Sequence, residues 1–250
     1  MTSLKWLNLI SIFFADDTFI FRIIDQFCTE ILNNDLAKIT EWAHQWKCLF
    51  NPTGKPAIEI IFSRKHNKSN PSTLVFNNNP VKRDIETKHL GMMLDSKLTF
   101  HSHLLSKNGK LSTARQGLDL MKQLKKWVCP SALETIYVLY VRPHLDYGDI
   151  IFHSANLNKQ RVYDHETTSE LLKQVESIQY DAGRIITGAW KGSSREKLYN
   201  DLGWVSLNNR RRMRELCLLH ETFHTNFPRY LNDIIKEVRP ISARMDNRIY

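Results

Sequence analysis

The sequence is short of the features that define several large classes of protein. Its four cysteines, Cys28, Cys48, Cys129 and Cys217, stand far apart and include no Cys-x-x-Cys pair. That spacing argues against a zinc ribbon or a disulfide framework and suits a reducing, intracellular compartment, nuclear or cytoplasmic. The apolar stretch from Leu7 to Ala15 is too short for a membrane span. Asp16-Asp17 follows it where a signal peptide would need small cleavage-site residues, so no membrane partner is expected. There is no internal repeat and no long low-complexity tract. Acids are few against bases, 26 Asp and Glu to 35 Lys and Arg, for a net charge of +9 and a pI near 9.4. Such an excess favours polyanionic partners and is silent on fold.

What is present begins with length and apolar content. A chain of 250 residues with a hydrophobic fraction of 42% can bury a proper core, as one large domain or two small ones. The organising stretch is Phe14-Ala15-Asp16-Asp17. Two adjacent acids lie between apolar runs of strand length, Leu7 to Phe13 and Thr18 to Phe21. Ile and Phe favour a pleated surface and Asp favours tight turns, which predicts a hairpin with Asp16-Asp17 at its tip. Side chains alternate across a strand. Either the pair is a surface turn with two solvated acids, or one carboxylate would ligate a metal and the other would brace the site or share a second ion. Two divalent ions about 3.5–4 Å apart are the usual means of in-line phosphoryl transfer, and Mg²⁺ takes hard oxygen ligands of this kind.

The remainder alternates short strands and amphipathic helices. Apolar spacing predicts a helix from Asp25 to Lys47, with Trp42 and Trp46 in the core. Asn51 to Gly54 breaks it, and short strands follow at Ala57 to Phe62 and Thr73 to Phe76. Leu98 to Trp127 reads as largely helical, with Leu104, Leu105, Leu111, Leu118, Met121 and Leu124 as its stripe. Lys107, Lys110, Lys122, Lys125 and Lys126 decorate it. Ser131 and Glu134 have capping-box spacing, opening a helix that is expected to end at Arg142-Pro143. Asn156 to His165 is a polar connection. Thr167 to Glu170 offers a second capping box for a helix stopping at Gly188. A short helix over Ser194 to Asp201 precedes a last long one opened by Ser206, which carries Arg210, Arg211, Arg212 and Arg214. The expected class is α+β and mostly helical.

Phe14 to Thr18 resembles the aromatic-Ala-Asp-Asp box of reverse transcriptases, written FADDT in the non-LTR (LINE-like, jockey-type) retrotransposons. The resemblance continues in order: Asn33 to Leu36, Trp42 and Trp46, Phe50-Asn51-Pro52, Glu59 to Lys65, then Lys88-His89-Leu90-Gly91 with Leu94-Asp95. Arg142-Pro143-His144-Leu145-Asp146-Tyr147-Gly148 is similar to the family's thumb string. Gln174 to Gln179 and the Ser206-Leu207 to Arg211 segment also match, so the likeness spans about Phe13 to Tyr230. It implies the carboxyl-terminal portion of such an enzyme: a palm remnant over 1–100, a helical thumb over 101–155 and a helical region over 156–250.

The intact family chemistry is RNA-templated addition of deoxynucleotides to a DNA 3′ end with Mg²⁺. By resemblance, Asp16 and Asp17 are the catalytic and metal-binding pair. Lys55 approaches the phosphates of the dNTP, and His89, Leu90 and Gly91 hold the primer end. Lys122, Lys125 and Lys126, with Arg210, Arg211, Arg212 and Arg214, are placed on the nucleic-acid backbone, since Arg forks match phosphate oxygens. The family's further aspartate strand, its fingers and its endonuclease lie upstream of the box. Only fifteen residues precede Asp16 and none is acidic, so the chain is expected to need its missing N-terminal part and to be inactive alone. The alternative is a noncatalytic nucleic-acid-binding or decayed fragment.

One motif points elsewhere. His220-Glu221-Thr222-Phe223-His224 satisfies His-Glu-x-x-His, which on a helix sets two imidazoles one turn apart for Zn²⁺ with the glutamate as base. Glu237 is the nearest later acid able to serve as third ligand, and Pro228 interrupts before any recognisable peptidase continuation.

Overall fold

The computed structural model describes residues 10–14, 17–25, 27–48, 50, 56–63, 73–156, 170–229, 231–233 and 235. The fold is α+β and mostly helical. It divides into two compact units, 1–102 and 103–250.

The described part of the first unit consists of short paired strands and one long helix. Strands β1 (Ile10–Phe14) and β2 (Asp17–Phe21) pair antiparallel, with Phe14 opposite Asp17 and Ile10 opposite Phe21. The expected hairpin is therefore present, shifted by one residue. Asp17 opens the second strand, and only two positions lie between the paired residues. Helix α1 (Cys28–Gln45) buries Cys28, Asp35, Ile39 and Ala43. Trp46 falls beyond its end and is exposed, so the expectation of a core tryptophan there fails: the helix stops one residue too soon to hold it inward.

Strand β3 (Ile58–Ile60) comes next, then β4 (Val75–Phe76) and β5 (Asn79–Pro80), which form a hairpin. Its turn residues, Asn77 and Asn78, both have positive φ, a conformation that Asn tolerates. The Asn33 side chain on α1 accepts a hydrogen bond from the Val75 N–H, 2.9 Å, and ties helix to hairpin. Strand β6 (Lys82–Asp84) runs parallel to β3, where register partners Glu59 and Arg83 form an ion pair of 2.8 Å. Strands β7 (Glu86–His89) and β8 (Met92–Asp95) close the unit as a third tight hairpin.

The division between units falls within the short helix α2 (His101–Leu105). Residues 106–109 break the expected long helix, and α3 (Lys110–Leu124) then buries Leu111, Ala114, Leu118 and Met121. Helix α4 (Pro130–Ile136) begins with proline in its first turn, and Cys129 at its N-cap makes no side-chain cap. The Ser131–Glu134 capping box does not form, because Glu134 instead accepts from Trp204 Nε1 at 2.7 Å.

The helix does not end at Arg142-Pro143. It passes through a π-helical turn, Tyr137–Val141, into α5 (Arg142–Asp146). A proline removes an N–H and crowds the carbonyl four residues back. The wider turn, in which the Arg142 N–H bonds the Tyr137 carbonyl, accommodates it. A Cβ on Gly117 of α3 would stand 2.7 Å from Val141 Cγ2, so the absent side chain lets the two helices approach.

Helix α6 (Asp149–Asn156) buries Phe152 and His153. Helix α7 (Glu170–Thr187) is the centre of the unit, with Leu172, Val175, Ile178 and Ala182 buried, and it packs on α3 and α4. Its proposed capping box at Thr167 to Ser169 lies outside the described residues. Helix α8 (Arg195–Leu202) is capped by Ser194 Oγ and ends at Gly203. Helix α9 (Leu207–Thr225) is capped by Ser206 Oγ, which accepts from the Asn209 N–H. No described helix is long and apolar enough to cross a membrane.

Candidate functional site

In the first unit the strand that begins with Asp17 reaches the hairpin of His89. The rings of Phe19 and His89 stand 5.0 Å apart, centroid to centroid. Phe19 is two residues along β2 from Asp17. His89 pairs with Met92, and Leu90 and Gly91 form the intervening turn with φ of 44° and 80°. Glycine adopts that region freely, whereas a leucine in it costs about 1–2 kcal/mol. Two of the three sequence-derived candidates for the primer end are therefore the tip of a strained hairpin. Asp16 and Lys55 lie outside the described residues, and Asp17 is described by its backbone alone.

The Leu94-Asp95 end of the same motif has a structural role. The Asp95 carboxylate accepts from the N–H groups of Lys97, Thr99 and Phe100 and from the Thr99 hydroxyl, at 2.7–3.1 Å. Partial burial alone would raise its carboxyl, and these donors outweigh that and hold it below the usual carboxylate range.

In the second unit the lysines and the arginines part company. Lys122, Lys125 and Lys126 are exposed at the end of α3, where Lys122 pairs with Asp119 at 2.7 Å on the surface. Arg210, Arg211 and Arg214 turn inward. Arg210 and Arg214 reach Asp146 at 2.9 and 2.8 Å, and Arg214 also bonds Asp149. Arg211 is 1% exposed, with Glu176, Asp149 and Asp146 as its charged surroundings and the Phe152 ring 5.9 Å from its Cζ. Burial lowers its guanidinium from the ordinary value and raises the Asp149 carboxyl, while the bond to Asp146 raises Arg214. Four arginines in one and a half turns therefore divide. Arg210 and Arg214 hold α9 to α5 and α6, Arg211 is buried beside them, and Arg212 lies on the exposed side. Sequence reasoning missed the partners because Asp146 and Asp149 are more than 60 residues from the arginines.

A second buried network lies beside this cluster. Glu176 accepts from the Tyr199 hydroxyl at 2.8 Å and from the Leu207 N–H at 3.1 Å, so it also caps α9. Tyr137 stacks on Trp204, 4.4 Å between centroids, and donates to Gln179. Burial raises the phenols of Tyr137 and Tyr199 well above the usual range. These groups are support for the helix arrangement rather than reactive groups.

His220 and His224 lie side by side on the exposed face of α9, ring centroids 4.2 Å apart and planes inclined by 48°. Among the described residues no group of three His, Cys, Asp or Glu is placed to hold a metal, and Glu237 lies outside them.

Comparison with known proteins adds one relative. The chain is 24% identical over 175 residues to the "Probable RNA-directed DNA polymerase from transposon X-element" of Drosophila melanogaster. The relationship is reverse-transcriptase-like. The alignment covers 66% of this chain and 16% of that protein, so the chain spans a small part of the relative's length. No protein-family model matches the chain. No solved structure matches it.

Proposed function

We propose that this chain is the carboxyl-terminal part of a non-LTR retrotransposon reverse transcriptase, acting on an RNA template and a DNA primer inside the cell. The observation that carries the reading is the Phe19–His89 contact. It sets the strand begun by Asp17 against the hairpin of His89, Leu90 and Gly91, which is where a catalytic carboxylate and a primer grip need to meet. The similarity to a transposon polymerase supports the same reading.

In this reading Asp16 and Asp17 hold Mg²⁺; two aspartate carboxylates are a hard donor set that fits that ion. When bound, the ion offsets charge on the phosphates of the incoming dNTP. Lys55 approaches those phosphates, and the His89–Gly91 turn positions the primer end. Lys122, Lys125, Lys126 and Arg212 contact the duplex backbone. Arg210, Arg211 and Arg214 serve it indirectly, by fixing α9. Two adjacent carboxylates do not make a complete two-metal site, so these residues alone do not polymerise.

The test is duplex affinity by anisotropy across a salt series. Binding is expected to be nearly independent of sequence and to weaken steeply with salt. Lys122→Gln, Lys125→Gln and Lys126→Gln together are expected to flatten the log–log slope by about 2.7, from about 0.9 for each lost phosphate contact on a B-form duplex. Wild-type protein without salt-dependent binding at low ionic strength would favour a decayed fragment. Mg²⁺-dependent dNTP incorporation by this chain alone, abolished by Asp16→Ala, would overturn the expectation of inactivity.

A further inference from the structure

The end of the second unit where α3 and α7 finish carries an arrangement that backbone contacts do not explain. The two helices pack against each other and run out together, for Lys125 Nζ lies 3.8 Å from the position a Cβ on Gly188 would take. Two residues beyond each of these points stands a tryptophan. Trp127 is 84% exposed and Trp190 is 87% exposed.

Trp190 sits on an anchored turn. Its carbonyl accepts from the Ser193 N–H at 3.1 Å and from Ser193 Oγ at 2.8 Å. The Tyr180 hydroxyl donates to the Ser193 carbonyl at 2.8 Å and accepts from the Gly192 N–H at 3.1 Å. The guanidiniums of Arg184 and Arg195 stand over the Tyr180 ring, 5.7 and 5.6 Å from its centroid. An indole presented on a fixed turn loses little freedom when something stacks on it. The neighbouring charge is of one sign: Lys125 and Lys126 precede Trp127, and Lys191 follows Trp190. The acids Asp119 and Asp181 are taken up by Lys122 and Arg184.

We propose that Trp127 and Trp190, with Lys125, Lys126 and Lys191, form a stacking platform for the unpaired bases of a single-stranded nucleic acid. Flat aromatic faces among cations are the combination that binds single strands without sequence preference, because every base has a π-face and every nucleotide a phosphate. A duplex hides its base faces and would leave both indoles unused. The core of a protein interface is depleted in lysine, which disfavours a protein as occupant. A membrane surface needs a continuous apolar face, and α3 and α7 bury theirs in the core of the unit. The platform shares Lys125 and Lys126 with the proposed duplex contacts and differs from that reading in depending on the indoles.

The test compares a fluorescein-labelled oligothymidylate of about 15 nucleotides with a duplex of equal length, using the full chain. Trp127→Ala and Trp190→Ala are each expected to weaken oligothymidylate binding by about five- to a hundredfold. The corresponding Trp→Phe variants are expected to recover most of the loss, and duplex affinity is expected to be unchanged. Circular dichroism of each variant checks folding. Alanine variants that bind oligothymidylate as the wild type does would overturn the platform and leave the duplex reading intact. Loss of self-association, or of binding to phosphatidylserine vesicles, without loss of single-strand affinity would also overturn it and name the other occupant. Wild-type protein that binds neither nucleic acid would sink both readings.

Discussion

The Phe19 ring lies against the His89 imidazole with their planes inclined by 35°. It joins two hairpins that are 70 positions apart in the chain and carry the two ends of the proposed active centre. A tilted ring pair of this kind is worth about 0.5–1.5 kcal/mol beyond area burial. A double-mutant cycle with Phe19→Ala and His89→Ala, read by denaturant unfolding, should return a coupling energy in that range. Strict additivity would show that the two hairpins are independent in solution.

Leu90 at the hairpin tip is strained, and Asn is better suited to its positive φ. Leu90→Asn is expected to stabilise the protein by about 1 kcal/mol, measured by thermal unfolding. If this side chain also touches the primer end, the same variant should bind a primed template less well while melting higher. A variant that is destabilised would mean that packing of Leu90 outweighs the strain.

Asp146 receives Arg210 and Arg214 in a partly enclosed position, with Arg142 3.8 Å away. Asp146→Ala leaves Arg210 without its anion and Arg214 with Asp149 alone. The expected loss is about 2–4 kcal/mol, below the cost of breaking a fully buried pair because the arginines retain some solvent. A loss under about 0.5 kcal/mol, the level of an exposed pair, would show that the cluster does not hold α9.

Burial, aided by the charge of Lys110, holds the His103 imidazole below its ordinary 6.5. His144 is lowered by the same two causes. The unfolded chain then takes up protons first as pH falls. Stability present above about 6.5 should decline through the window between that value and the lower folded values. In unfolding experiments across this window, His103→Gln should show a shallower decline than the wild type. Asp95 acts in a separate range: its stabilising contribution should persist until pH falls below 3.8, through its lowered folded value.

Much of the fold was legible because its signals are local. The Ile- and Phe-rich runs around Asp16-Asp17 gave the β1–β2 hairpin, and the stripe of Leu111, Leu118 and Met121 gave α3. Ser194 and Ser206 marked helix starts that exist. Local spacing failed where a distant partner competed. Glu134 has a capping-box position and serves Trp204 instead. Leu105 fits the helical stripe yet is exposed, since 106–109 break the helix. The arginine row matches a phosphate-binding pattern, and only the three-dimensional placement of Asp146 and Asp149 turns most of it inward. The exposure of Trp127 and Trp190 carried no local signal, because exposure depends on what packs nearby.

The π-helical turn has a consequence for phase. Leu133, Tyr137, Val141 and Leu145 are buried at intervals of four residues. An α-helix advances about 100° per residue, so each such interval overshoots a full turn by about 40° and the three together by about 120°. Four side chains spaced in this way would spiral off their neighbours. One wider turn absorbs part of that drift and keeps Val141 over Gly117 while Leu145 remains enclosed. Pro143 then acts as a register pin: with no N–H to offer at that position, the chain has less to gain by tightening the turn and rotating everything beyond it.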